Sequence, residues 1–586
     1  MFQSNPINRV LCVALAITVI LTSLTFAPVL ASNPSDFVVK DGHVLVKYTG
    51  TDAVVVIPDS LAIVEIANDA FSSNQTLTTV TVPNGVLAIG RYAFAFCDNL
   101  AAVTLPATLT YIGDHCFGGC PSLKSISLPA SLKSAGYGPF RDTGITVPLL
   151  IDGGKTLIYV PTDTINYTIP STVAKINGRA FFNCTMLLAV TIPQSVTTIE
   201  QDAFCFCIKL NAVILPTNIS TFGCSPFRGT GITKPILYDS GKKLIYVPGN
   251  YTSYTIPATV TSINAGALTQ CTEIKSISIP ATVQSIGDFA FYYSTSLASI
   301  SFASQNIPVG ESAFTGTIVP NTILMDAGKT LCYVPAKTKQ FTFPASVTKI
   351  NAGAFADCLY ITDIVIPKAV TFLGNMAFDG CGALKTLVAS SKLTNVGSNP
   401  FTGMKTLTVY GEVGSEIQKS AKLYELTFVA IPAIKAVTSA GILKSYAYTN
   451  KSVTILPYGY DYKLSATKNG AKFTFPATKV FKYAGKYVVT MKTAAKTKTF
   501  TFTIDKSKPY IMVKNAKGIV VKTNSTIKGS ATFAVTDANL SAKSITLNGK
   551  AIPWPTSKKV TKKGTYLLTA KDKAGNKATF GFKIVL

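Results

Sequence analysis

Cysteine has the most regular spacing of any residue type here that could carry chemistry. The chain has twelve cysteines, and seven fall three residues after a recurring phenylalanine or leucine: Cys97, Cys120, Cys184, Cys207, Cys271, Cys358 and Cys381. Asn74, Thr143 and Ser294 take the same place in other copies, so we predict a small polar group on a buried turn. Export would permit disulfides between neighbours such as Cys97 and Cys120, and that alternative stays open.

Other residues that could carry chemistry are sparse. The chain has two histidines, His43 and His115, and neither lies in a pattern that indicates a catalytic triad. Cys205 and Cys207 are separated by one residue, and no four-ligand zinc spacing occurs. Asp572 has no second acid nearby, so a hairpin turn is favoured there over a cation site. We therefore expect no enzyme activity, no metal site and no cofactor.

Lysine is concentrated after residue 430. Residues 431–586 contain 28 lysines, no arginine and four acids, whereas residues 1–430 carry 26 basic and 24 acidic residues. Lysine can simply keep strands soluble, but this excess also favours a polyanionic partner. In an exported protein, an anionic cell-envelope polymer is a better candidate than nucleic acid. The expected contacts are Lys492, Lys496, Lys498, Lys558, Lys559, Lys562 and Lys563.

A sequence repeat sets the elements that position these side chains. Phenylalanine recurs in steps of 23 residues, and a step of 41 residues opens each later group. The last phenylalanine of each group recurs every 87 residues, at Phe140, Phe227, Phe314 and Phe401. A fixed period of this length predicts a solenoid, because no single copy can bury its apolar side chains without its neighbours.

Each copy follows the pattern P-x-x-V/L-x-x-I-G-x-x-A-F-x-x-C-x-x-L-x-x-V-x-I. Its last six residues, such as Leu100–Leu105, predict a short strand that the next proline ends. Gly90 and its equivalents would let the backbone turn after the isoleucine. Equivalent strands are expected at Leu123–Leu128, Leu210–Leu215, Leu297–Phe302 and Ile361–Ile366, side by side in one parallel sheet.

This unit resembles the BspA-like, or treponemal-type, leucine-rich repeat of bacterial and some protist surface proteins. The resemblance covers residues 36–430 in about thirteen copies. It implies an α/β-type leucine-rich-repeat solenoid with a strand-lined concave face, and surface roles in adhesion and protein binding. The candidate contacts on that face are Thr78, Thr79, Thr81, Lys124, Ser125, Ser127, Lys275, Ser276, Ser278, Thr362 and Asp363.

The long steps carry an insert in which two apolar runs flank an Asp/Gly turn. Copies lie at Leu149–Pro161, Ile236–Pro248 and Ile323–Pro335, and Phe37–Val46 looks like a fourth. This pattern predicts β-hairpins, and we expect them to project from the coils. Tyr159, Tyr246 and Tyr333 stand at equivalent places, where they either form a second binding surface or pack against the coils.

Different elements are expected after the repeats. Residues 412–425 read as a helix with Ile417, Ala421 and Tyr424 on one side, which either caps the last coil or links two domains. Alternating apolar residues then indicate two all-β sandwiches, at residues 431–505 and 506–586. The second, with Gly564–Tyr566 and Asp572–Asn576, resembles bacterial immunoglobulin-like domains, and the first matches that pattern less well.

The first segment indicates export. Arg9 precedes an apolar run, and the small residues before position 32 are typical of a signal peptidase site, so residues 1–31 are read as a removed signal peptide. A retained membrane anchor is the alternative. We predict a secreted or cell-surface protein that binds without catalysis, its repeats contacting a host or neighbouring-cell protein or glycan and its tail an envelope polymer. A structural envelope spacer without a dedicated ligand is the second hypothesis.

Overall fold

The structure is a computed structural model that describes residues 31–431, 433–460, 462–493 and 496–586. Nearly all of the proposed signal peptide therefore lies outside the described residues. The chain divides into two compact units. One contains the chain up to Ala336 together with Asn351–Asp357, and the other contains Lys337–Ile350 and Cys358–Leu586.

Most 23-residue copies in the first unit form a coil with two short strands, where the sequence predicted one. The additional strand precedes the glycine of the pattern, and we call this set the I-G row. Two-residue strands are too short to show an alternating pattern in the sequence. Their bounds are Glu65–Ile66, Ala88–Ile89, Tyr111–Ile112, Ser134–Ala135, Lys175–Ile176, Thr198–Ile199, Thr221–Phe222, Ser262–Ile263 and Ser285–Ile286.

The predicted strands form a second set, the V-x-I row, which is divided among separate parallel sheets. In the first unit these comprise Val54–Val56, Thr79–Thr81 and Ala102–Thr104; Asn166–Thr168 and Ala189–Thr191; and Ser253–Thr255, Ser276–Ile279 and Ser299–Phe302. The prediction of one parallel sheet was therefore wrong.

Two of the predicted strands are absent. Leu123–Leu128 and Leu210–Leu215 form none, and no backbone N–H of residues 124–128 or 211–215 donates a hydrogen bond within the described part of the chain. A strand at the end of a group has a ladder partner on one side only, so its pairing is marginal. Such a strand forms in the third group, at Ser299–Phe302, but not at the equivalent segments 123–128 and 210–215.

The four inserts are antiparallel hairpins, as predicted. Their arms are Phe37–Lys40 with Val44–Tyr48, Leu149–Ile151 with Thr156–Tyr159, Ile236–Tyr238 with Lys243–Tyr246, and Ile323–Met325 with Thr330–Tyr333. The expectation that they project freely was wrong. In the first three, the second arm pairs in parallel with the next strand of the I-G row, for example Leu157 with Ile176. Burial explains this, because an exposed Leu-Ile-Tyr arm would forgo about 1.5–3 kcal/mol per apolar side chain.

The recurring phenylalanines form stacks inside the coils. Ring centroids of Phe71, Phe94, Phe117 and Phe140 follow one another at 4.8, 5.3 and 5.4 Å, and all four rings are buried. Each coil is also tied to the next through the backbone, since Phe94 N–H donates to the carbonyl of Cys116 over 2.9 Å. The apolar interior is thus continuous from coil to coil within a group.

The second unit contains its own strands of both types. The I-G strands are Lys349–Ile350, Phe372–Leu373 and Asn395–Val396, and the V-x-I strands are Asp363–Val365, Thr386–Val388, Thr408–Gly411 and Thr427–Ala430. The predicted helix is present but shorter, at Glu416–Leu423, and it buries Ile417 and Ala421 against the last strands of both rows. It covers the last coils, as a cap would. In the first unit, Pro34–Asp36 and Asp59–Leu61 are short 3-10 turns.

The tail forms two modules, each built from two facing sheets whose pairs are mostly antiparallel. The first has strands Ala433–Thr438, Gly441–Leu443, Ala447–Thr449, Val453–Tyr458, Lys463–Lys468, Ala471–Phe473, Val480–Phe481, Gly485–Lys492 and Thr497–Ile504. The second has Tyr510–Asn515, Ser525–Lys528, Ala531–Thr536, Leu540–Leu547, Lys550–Ile552, Lys559–Val560, Gly564–Asp572 and Lys577–Val585. Both order their larger sheet in the same way, with Ala447–Thr449 and Ser525–Lys528 parallel to the final strand.

Candidate functional site

The strand-face candidates do not share one surface. Thr79 and Thr81 lie on the first V-x-I sheet, flanking the buried Val80, and Ser276 and Ser278 lie on the third, flanking Ile277. Thr78 and Lys275 directly precede those strands, while Thr362 and Asp363 belong to the second unit. Lys124, Ser125 and Ser127 are exposed but belong to no strand, because that segment does not pair.

The third sheet carries the most regular polar face of the V-x-I row. Ser253, Ser276 and Ser299 stand in register across its three strands, and Thr255, Ser278 and Ser301 form a parallel row. All six hydroxyl side chains are exposed or half-buried. Such a face can exchange hydrogen bonds along a ligand, but it offers no aromatic or arginine anchor, the types that dominate binding hot spots.

The seven tail lysines form two exposed groups. Lys492, Lys496 and Lys498 lie on the hairpin of the first module's two longest strands, where Met491 pairs with Lys498. Lys558 and Lys559 lie at the start of strand Lys559–Val560, and Lys562 and Lys563 in the turn after it. None of the seven forms an ion pair within the described residues. Their charges are therefore available to a partner.

The seven recurring cysteines are buried and none of them forms a disulfide, in agreement with the predicted thiol ladder. Cys97 Sγ lies 3.1 Å from the carbonyl oxygen of Phe71, and Cys120 Sγ lies 3.1 Å from that of Phe94. Ser294 makes the same bond to Leu268 at 2.6 Å, which explains why the place accepts either residue. Burial raises the pKa of Cys97 to about 12 and that of Cys120 to about 11, so both stay protonated and unreactive.

The hairpin tyrosines do not form a second surface. Tyr159, Tyr246 and Tyr333 are all buried. The hydroxyl of Tyr159 donates to the carbonyl of Ile145 over 3.1 Å, and that of Tyr333 donates to Thr317 over 2.9 Å. Of the two alternatives, packing against the coils is the one the structure shows.

The sequence reading missed a third surface, formed by the turn around each recurring phenylalanine. We call it the turn face; its side chains come from residues two before and two after that phenylalanine. All thirteen residues at the earlier position have φ between 48° and 65°, and all thirteen at the later one between 53° and 76°. Left-handed backbone suits Gly, Asn and Asp, and costs other residues about 1–2 kcal/mol.

Bulky residues nevertheless occupy many of these left-handed positions. They are Tyr92, His115, Arg179, Phe289 and Met376 at the earlier position, and Phe96, Phe206, Gln270 and Tyr293 at the later one. Phe96, Phe206 and Tyr293 are 44%, 38% and 39% exposed. Glycine would adopt this backbone conformation at a lower free-energy cost. Strained backbone that carries an exposed aromatic ring therefore suggests that the ring has a function.

Arginine side chains lie on or beside this face. The chain contains five arginines, and each of the four that the structure describes lies within three residues of a recurring phenylalanine and over an aromatic ring. Arg91 lies 4.8 Å from the ring centre of Tyr92, and Arg228 lies 5.0 Å from that of Phe206. Arg179 lies between two rings, 4.4 Å from Tyr137 and 4.5 Å from Phe182. Arginine and aromatic residues together are typical of binding surfaces.

One buried carboxylate, that of Asp202, lies among these arginine and aromatic side chains. Asp202 accepts a hydrogen bond from the Tyr137 hydroxyl and from Arg228 Nε at 3.3 Å, and Arg179 lies 3.9 Å away. Burial and the Asp202 charge raise the pKa of Tyr137 above its usual range. His115 stacks on Tyr92 at 5.1 Å, and burial together with Arg141 and Arg179 lowers its pKa to about 4. The cluster therefore contains a neutral imidazole beside permanent positive charges.

The periodic core of this chain matches a known protein family. The model of the BspA type leucine-rich repeat region matches residues 52–153, 162–246, 240–330 and 328–452, which together exceed half of the chain. The chain belongs to the BspA-type leucine-rich repeat family. The match begins after the first hairpin, omits the second arm of the hairpin at Leu149–Tyr159, includes the other two hairpins, and ends inside the first tail module. It does not cover residues 453–586.

Solved structures similar to this BspA-type chain include bacterial leucine-rich repeat proteins. A cell surface protein of Faecalibacterium prausnitzii is 22% identical, covering 67% of this chain and 97% of its own, with a TM-score of 0.27. A protein of Bacteroides ovatus is 21% identical over the same shares with a TM-score of 0.25. A protein of Eubacterium ventriosum is 19% identical over 47% of this chain and 88% of its own, with a TM-score of 0.31. A comparison with curated proteins found no match.

Proposed function

We propose that this chain is a secreted or cell-surface binding protein that acts without catalysis. Membership of the BspA-type family supports this, together with a similar solved structure that is a cell surface protein. The described part of the chain holds no helix both long and apolar enough to cross a membrane. The repeats would present their outer side chains to a protein or glycan of a host or neighbouring cell.

The tail would hold an anionic cell-envelope polymer. The observation that carries this is that the seven lysines are exposed and form no ion pair within the described residues. Three of them lie on one hairpin, and four lie at or beside strand Lys559–Val560. The wider tail adds to the attraction, because it carries 28 lysines against four acids. The two modules, at residues 431–505 and 506–586, would act as immunoglobulin-like spacers that display these lysines.

The test compares the full chain with a variant in which all seven lysines become glutamine. A matched control changes seven other exposed tail lysines to glutamine, at positions Lys444, Lys472, Lys482, Lys517, Lys528, Lys550 and Lys577. Binding to isolated cell envelopes is measured at about 50 mM and about 500 mM salt. We expect salt to release the wild-type chain, and the first variant to bind at least about tenfold more weakly than the control.

Either of two results would contradict this proposal. Retention at high salt would show that charge does not hold the chain, and equal binding by the two variants would show that the seven named lysines are not special. Absence of binding by the wild-type chain at low salt would favour the spacer hypothesis, in which the envelope polymer is not a ligand.

A further inference from the structure

The turn face of the second and third repeat groups contains two adjoining cavities. One, of about 270 Å³, is lined by residues that include Asp202, Arg228, Phe289 and Tyr292. The other, of about 300 Å³, is lined by residues that include Phe206 and Tyr246. Arg228, Thr269 and Gln270 line both cavities. The two together therefore form one polar-centred, aromatic-walled groove, within the usual size range of a small-ligand site, about 300–1,000 Å³.

Hydrogen bonds of Arg228 fix the polar centre of the groove and leave some of its N–H donors available to a ligand. Arg228 donates from Nε to Asp202 and from NH1 to Gln270 Oε1 over 2.9 Å. Within the described residues, the second terminal NH₂ group of Arg228 and the amide NH₂ of Gln270 have no hydrogen-bond partner. A planar guanidinium and a planar amide are thereby held side by side, ready to donate to oxygen atoms of a ligand.

The aromatic wall is held in place by glycine on the next coil. A Cβ on Gly229 would lie 2.6 Å from the Phe206 ring, so only glycine lets the ring lie against the backbone there. The same pairing recurs between Phe96 and Gly119 at 2.7 Å, and between Tyr293 and Gly316 at 2.9 Å. Each ring is thus fixed by the neighbouring coil while more than a third of it stays exposed.

We propose that this groove binds a saccharide chain, with Phe206 as the platform for one sugar ring and Arg228 and Gln270 as donors to its oxygens. A sugar ring presents C–H groups on its faces and hydroxyl groups around its edge. It therefore suits a site that joins a partly exposed aromatic ring to planar hydrogen-bonding groups. Phe96 and Tyr293 would be platforms for other sugar rings of the same saccharide. This site lies outside the strand face and the lysine tail, and it rests on the glycan contact proposed above for the repeats, for which it supplies a place and a ligand class.

Titration calorimetry of the full chain tests the proposal. The probes are maltotriose, cellotriose, triacetylchitotriose and trigalacturonate, which separate neutral, acetamido and carboxylate recognition, each added to about 10 mM. We expect at least one of them to bind, Phe206→Ala and Gln270→Ala each to weaken that binding at least about tenfold, and Phe206→Tyr to retain it. The matched control is Tyr111→Ala, which removes a ring of similar exposure, 39%, that lies outside the groove.

Melting temperatures separate loss of the site from loss of the fold. Phe206→Ala should melt close to the wild-type temperature, because the ring is 38% exposed and the backbone conformation costs alanine about as much as phenylalanine. The proposal is overturned if no probe binds the wild-type chain, if Phe206→Ala binds as tightly as wild type, or if Tyr111→Ala loses as much affinity as Phe206→Ala. None of these outcomes affects the proposed lysine contacts, which are measured by salt-dependent envelope binding.

Discussion

At the scale of single residues, His115 occupies an unfavourable position on the turn face. His115 has left-handed backbone with φ of 50°, it is buried, and its Nδ1 has no hydrogen-bond partner within the described residues. The sequence reading placed His115 inside a repeat but could not find its neighbours, since Arg141 and Arg179 come from other coils. The repeat pattern identifies which residues are buried at the core, but it does not record which turn residues meet across coils.

A first prediction concerns the pH dependence caused by His115. Its pKa is lowered to about 4 in the folded chain, by burial and by the charges of Arg141 and Arg179. Above pH 6.5 the imidazole is neutral in both folded and unfolded chains, so its titration does not lower the free energy of unfolding. As the pH falls from 6.5 toward 4, only the unfolded chain binds a proton, so the repeats should lose up to about 3 kcal/mol of folding free energy.

The His115→Asn variant should remove that loss, because asparagine does not titrate and tolerates left-handed backbone, as Asn399 does at an equivalent place. The measurement is urea unfolding at pH 7 and pH 4.5, followed by circular dichroism. His43→Gln is the control, since His43 is exposed and is the only other histidine. A pH dependence that survives His115→Asn unchanged would show that another group causes it.

A second prediction concerns the thiols. None of the eleven cysteines described by the structure forms a disulfide, ten are buried, and Cys224 is half-buried. A thiol reagent should therefore leave the ten unmodified in the native chain and react with all eleven after denaturation without reductant. Few free thiols in the denatured, unreduced chain would mean that neighbours such as Cys184 and Cys207 are joined in disulfides, against the thiol ladder.

At the scale of elements, the sequence predicted what repeats and missed what changes at group boundaries. The coils, hairpins and helix follow from apolar periodicity, from Asp/Gly turns and from the break in period after residue 411. The I-G row was missed because two residues carry no alternation. The glycine that follows it was explained wrongly: a Cβ on Gly113 would lie 2.5 Å from Arg91 N, so glycine is needed there for close approach of coils.

A third prediction concerns the phenylalanine stack. Phe117 is fully buried between Phe94 at 5.3 Å and Phe140 at 5.4 Å, so Phe117→Ala should cost the repeats about 3–5 kcal/mol in free energy of unfolding. The control is Phe96→Ala, which removes an exposed ring from left-handed backbone and should have little effect. Urea unfolding followed by circular dichroism measures both.

Fluorescence of the single tryptophan gives an internal reference for that experiment. Trp554 lies in the second tail module, where it packs edge-on against Phe533 at 5.1 Å. Its transition should stay in place in the Phe117→Ala variant while the circular dichroism transition moves to lower urea. If Phe96→Ala cost as much as Phe117→Ala, the stacked rings would not be the main source of repeat stability.

At the scale of the whole molecule, the family and the repeated coil could be predicted from the sequence, whereas the binding surfaces could not. The period fixes which side chains are buried, because burial repeats with the fold. The expected strand-face residues are now divided among separate sheets, and Lys124, Ser125 and Ser127 belong to none. A surface arises from side chains on several coils, such as Arg228 and Gln270, whose contact depends on packing that the spacing does not specify.

The central claim is that 23-residue coils stack on one another and leave only their outer side chains for binding. Hydrogen–deuterium exchange of the full chain tests it most directly. Amides of the recurring phenylalanines, such as Phe94 and Phe117, donate to the next coil and should exchange slowly with the period of the repeat. Residues 124–128 and 211–215 should exchange fast, whereas the equivalent Ser299–Phe302 should be protected. Protection that ignores the period, or that is equal in these three segments, would contradict the account.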